Sequence, residues 1–86
     1  MLNVRNAPRF LIDWPCTVKV LKPNLAKPVL CRVSELSADE MVIRCEARLS
    51  AKARRVEIRT GNVVVAGELR ARRYAGDGQW EMQVRI

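Results

Sequence analysis
The side chains of this 86-residue chain that are able to do chemistry are mostly charges without a proton-transfer partner. No histidine is present, so Ser37 and the cysteines Cys16, Cys31 and Cys45 lack the usual general base. The carboxylates are scattered over turns rather than paired, and an enzymatic role is not expected. Three cysteines without a CxxC spacing, and without histidine to complete a donor set, argue against a zinc site. Gly76-Asp77-Gly78 has the glycines of a phosphate loop, but no helix follows to aim its amides at an anion.

Charge is the more informative signal. Sixteen Lys and Arg against nine Asp and Glu leave +7, and twelve of the sixteen are arginine. Guanidinium is a planar fork matched to phosphates, carboxylates and guanine edges, so the bias favours an anionic or nucleotide partner. Arg5 and Arg9 lie ahead of the first strand. Their spacing alone carries little, because Arg44 with Arg48 and Arg55 with Arg59 repeat it; their position carries the argument. About one hairpin later, Ser34, Glu35, Ser37, Asp39 and Glu40 crowd a connection that has neither Gly nor Pro. An arm bearing two arginines can fold over such a polar tip and trap an anion.

The elements that must position these groups read as short strands. Val29, Cys31 and Val33, then Met41, Ile43 and Cys45, alternate with outward residues on the two arms of a hairpin around the polar tip. Before it, Met1 to Asp13 reads as an irregular arm gripped by Phe10, Leu11 and Ile12, and Cys16, Val18 and Val20 face inward from strand one. After it, Glu46 to Arg54 reads as a short helical turn, followed by a strand from Arg55 to Thr60 and a Gly61-Asn62 hairpin turn. A long strand then runs from Val63 to Arg73, with a bend or bulge expected at Gly67. Tyr74 to Gly78 reads as a turn, and Gln79 to Ile86 as the last strand.

Six strands at hairpin spacing in one small domain predict an all-β fold, a six-stranded antiparallel barrel without free edges. The expected core is Val18, Val33, Ile43, Val56, Ile58, Val65, Leu69, Trp80, Met82 and Val84. The three cysteines share the inward phase and are expected to be unpaired structural thiols of a reduced cytosolic protein. With no apolar run of signal-peptide or transmembrane length, the chain is expected to be cytoplasmic and not membrane-inserted.

On these residues the chain resembles the PilZ family, the bacterial receptors for cyclic di-GMP. Arg5-Asn-Ala-Pro-Arg9 is similar to the family's two arginines separated by three residues. Glu35-Leu-Ser37-Ala-Asp-Glu40 lies where the family has Asp or Asn, any residue, Ser, two residues and Gly. The resemblance implies a cyclic di-GMP site formed by Arg5, Arg9, Glu35, Ser37 and Glu40, with no further cofactor, and coupling to a protein partner. It also implies an arm that is mobile until ligand closes it over the hairpin. The second motif departs from the pattern at both ends, since Glu35 replaces Asp or Asn and Glu40 replaces Gly. If that position is left-handed, Glu40 costs roughly 1 to 2 kcal/mol there. The family's C-terminal helix has no counterpart before Ile86. A degenerate module that has lost the nucleotide and serves as a protein adaptor is therefore the alternative. A basic barrel binding single-stranded nucleic acid is disfavoured by the few aromatics, Phe10, Trp14, Tyr74 and Trp80.

Overall fold
Period-two alternation buries one face of each strand, and six such strands bury those faces together by packing as two sheets or, removing every free edge as well, by closing on themselves. The computed structural model, which describes residues 8–22, 27–46, 49 and 52–86, has that architecture. Its strands are β1 (Phe10–Lys22), β2 (Val29–Leu36), β3 (Glu40–Cys45), β4 (Arg55–Thr60), β5 (Val63–Gly76) and β6 (Gln79–Arg85). They form a closed antiparallel barrel in the order β1-β2-β3-β6-β5-β4. Among the described residues there is no helix, and thus none long and apolar enough to cross a membrane.

Inside the barrel, Val18, Val33, Ile43, Val56, Ile58, Met82 and Val84 form one buried cluster with the three cysteines, and Val65 and Leu69 pack against it half-buried. Trp80 does not join them. It is half-buried and meets Tyr74 edge to face, with ring centroids 5.5 Å apart at 65°. An aromatic this large fits the wall more readily than a core already filled by Met82 and Val84.

Several boundaries differ from the sequence reading. β1 begins at Phe10, where the arm was expected to be irregular, because Phe10 and Leu11 pair with Leu36 and Glu35. Their side chains do not grip the body, being 62% and 81% exposed, and only Ile12 packs on the core. β5 runs on through Tyr74 to Gly76, so the turn shrinks to Asp77-Gly78, both with positive φ as a type I′ hairpin requires. The Tyr74 hydroxyl accepts the Gly78 N–H at 2.8 Å, locking the turn to the strand. The helical turn expected over Glu46 to Arg54 falls partly outside the described residues; Leu49 and Ala53 contribute to the core.

The cysteine expectation is corrected by the register. Cys31 lies opposite Cys45, both facing inward with Cα atoms 4.6 Å apart, and the two form a disulfide. Alternation reveals phase but not register, so the close pairing was invisible in the sequence. Cys16 alone is a free thiol, and it is buried. Burial pushes its pKa up to about 11, with the Arg32 charge opposing. Folding therefore favours the protonated thiol, and that stability is complete below the ordinary value of 9.0 and lost as pH rises through about 11. A Cys16→Ala variant is expected to show a shallower fall in urea midpoint across this window than the parent. Identical slopes would count against it.

Candidate functional site
The β2–β3 hairpin is built to present its tip. Ser34 is the extra residue of a bulge, with pairing jumping from Val33 to Glu35, and its Oγ donates to the Val42 carbonyl at 3.2 Å. The bulge resets the alternation, so that Leu36 packs against the core and Glu35, which simple alternation puts inside, turns to the outer side. Ser37 then closes the tip: its N–H and its Oγ both donate to the Glu40 carbonyl, at 2.9 and 3.3 Å, and Oγ also approaches Asp39 Oδ1 at 3.4 Å. The Ile86 N–H donates to the Asp39 carbonyl at 2.8 Å, which pins the tip to the end of β6.

Glu40 is the first residue of β3 and has ordinary strand backbone. The only described non-glycine residue with positive φ is Asp77. The left-handed penalty anticipated for a Glu at this position therefore does not arise. Its side chain instead meets the arm: Arg9 Nη2 lies 3.4 Å from Glu40 Oε1, with the two side chains 49% and 29% exposed. An ion pair this open to water contributes about 0 to 1 kcal/mol.

Of the five residues expected to form the site, the structure thus brings Arg9, Ser37 and Glu40 together. Glu35 stands one turn of the hairpin away, half-buried, as the Cα partner of both Leu11 and Val42. Its carboxylate makes no hydrogen bond or ion pair to another described residue. Arg5, and with it the expected mobility and closure of the arm, lies outside the described residues. Arg85 was not singled out from the sequence. It is the Cα partner of Glu40 across the β3–β6 seam and exposed, which sets a second guanidinium-bearing position beside the Arg9 pair. Its outward phase on β6 was legible, but its neighbour on β3 depends on a pairing between strands far apart in the chain.

Exposed apolar side chains border the same region. Phe10 and Leu11 directly follow Arg9, and Trp14 is 48% exposed further along β1. Just below Leu11, Asp13 accepts a hydrogen bond from Arg32 on β2, which fastens the irregular stretch of β1 between Leu11 and Trp14. In comparison with known proteins, no family model matches the chain and no curated sequence matches it.

Proposed function
We propose that this chain is a bacterial signalling module of PilZ type, a binding domain rather than an enzyme. It takes cyclic di-GMP between Arg5 and Arg9 of the arm and the Glu35, Ser37 and Glu40 side of the hairpin. The observation that supports this reading is the contact between Arg9 and Glu40: the last position of the first motif touches the last position of the second. Magnitudes decide what that contact does to the ligand. A bidentate guanidinium contact to a guanine edge is worth roughly 1 to 3 kcal/mol, whereas the exposed Arg9–Glu40 pair is worth at most about 1. Glu40 therefore weakens the nucleotide without excluding it.

A second reading, in which the module no longer takes the nucleotide and docks a protein partner, is favoured by the exposed Phe10, Leu11 and Trp14 beside the site. Calorimetric titration with cyclic di-GMP at one salt concentration separates the two. The wild type is expected to bind, Arg9→Ala to bind about 5- to 150-fold more weakly, and Glu40→Gly to bind up to about 5-fold more tightly. Absence of heat for the wild type at millimolar ligand, with binding by Glu40→Gly, transfers the assignment to the adaptor. A steep salt dependence with single-stranded oligonucleotides would instead indicate a nucleic-acid ligand.

A further inference from the structure
The three cysteines occupy one row of the barrel wall. Cys16 on β1 is the Cα partner of Cys31 on β2, and Cys31 is the Cα partner of Cys45 on β3. All three belong to the buried core cluster. We infer that this row is a thiol–disulfide exchange site in which Cys31 is shared, so that its disulfide passes between Cys45 and Cys16.

Strand geometry supports both pairings. At any strand residue the N–H and C=O point to the same neighbour, so Cys31 makes a hydrogen-bonded pair on one side and a non-hydrogen-bonded pair on the other. The 4.6 Å Cα separation marks Cys31–Cys45 as the non-hydrogen-bonded pair. Cys16–Cys31 is then the hydrogen-bonded one, with Cα atoms roughly 5.5 Å apart. Both spacings lie within the span of about 4.4 to 6.8 Å that disulfides bridge. Cys16 and Cys45 flank Cys31 from opposite strands, a register that lets the entering sulfur approach from the side away from the leaving one.

The step is balanced within the chain. The Cys16 thiolate attacks Cys31 Sγ, the Cys16–Cys31 bond forms as Cys31–Cys45 breaks, and the electron pair departs on Cys45 Sγ, which takes up the proton that Cys16 released. One disulfide is present before and after, so no oxidant is consumed. With the Cys16 thiol pushed up to about 11, the attacking thiolate is scarce at neutral pH and the exchange is slow there. A cleft of about 320 Å3 bordered by Cys16, Cys31, Arg32 and Arg44 opens beside the row and gives a small monothiol access to catalyse it. The swap moves the covalent tie from the β2–β3 hairpin to the β1–β2 pair, and so links the strand that follows Arg9 to the hairpin.

The test uses the wild-type chain, incubated at mildly alkaline pH with a trace of a small monothiol, then acid-quenched and alkylated in denaturant for peptide mass mapping. A species labelled at Cys45 alone, with Cys16 and Cys31 joined, is the expected result, and it should vanish in Cys16→Ser. Net reduction is told apart because it labels all three cysteines. Single labelling confined to Cys16 at every time point overturns the inference. The Cys45→Ser variant, where it folds, is expected to lose both remaining thiols in a redox buffer that oxidises the wild type.

Discussion
Reducing the Cys31–Cys45 disulfide is expected to destabilise the barrel by about 3 kcal/mol, the loop-closure value for a loop of about 15 residues. The bond joins cysteines separated by 14 positions and encloses the β2–β3 hairpin from Cys31 onward, with its polar tip. In the reduced unfolded chain that segment is free to open, whereas in the native barrel the ladder from Cys31–Cys45 up to Leu36–Met41 holds it in register with or without the bond. The bond therefore acts chiefly on the unfolded state. For a domain of this size, 3 kcal/mol corresponds to a fall in Tm of roughly 12 to 24 °C. Thermal melts with and without reductant, in a Cys16→Ser background that prevents exchange, measure it directly. An unchanged Tm would show that the hairpin remains as ordered in the unfolded chain without the bond.

Gly67→Ala is expected to cost a similar amount, about 3 kcal/mol, at the upper end of ordinary overpacking. Gly67 sits on the inward phase of β5 between Val65 and Leu69, and a Cβ there would stand 2.5 Å from Val84 Cγ1 and 2.7 Å from the Arg85 carbonyl oxygen. Val84 is wholly buried and the Arg85 oxygen belongs to the β6 backbone, so neither yields as a surface side chain would. The gain of roughly 0.4 to 1 kcal/mol from restricting the unfolded chain is too small to offset this. Urea unfolding of Gly67→Ala beside Gly61→Ala, whose Cβ meets nothing within 4 Å but whose φ is 58°, separates crowding from backbone strain. The prediction fails if Gly67→Ala unfolds at the parent midpoint.

These two sites mark how far the sequence could be read. Val18, Val33, Ile43, Val56, Ile58, Met82 and Val84 announced themselves by alternation, because burial of one strand face is a local pattern. Gly67 was expected to bend its strand; the register shifts of β5 lie further on, between Leu69 and Ala71 and between Tyr74 and Gly76. The glycine serves a close approach between strands, which depends on which residue lies across the seam. The same limit hid the disulfide, the Glu40–Arg85 neighbourhood and the Ser34 bulge. Arg9, Ser37 and Glu40 were legible because a turn within one hairpin and an arm just before strand one are local features. The ion pair between Arg9 and Glu40 was not, since it follows from the pairing of β1 with β2.

Closure of the barrel also orders its assembly in time. β1–β2, β2–β3, β4–β5 and β5–β6 join strands that are neighbours in the chain, whereas the β1–β4 seam brings Lys22 to Arg55 and the β3–β6 seam brings Glu40 to Arg85. Loop-closure entropy grows by only about 0.6 kcal/mol per doubling of loop length, but it must be met before the seam returns any burial. The hairpins are thus expected to form first and closure of the two seams to limit the folding rate. Until they close, β1, β3, β4 and β6 are open edges, so the time the chain spends as unclosed sheets is also the time it is exposed to pairing with another chain.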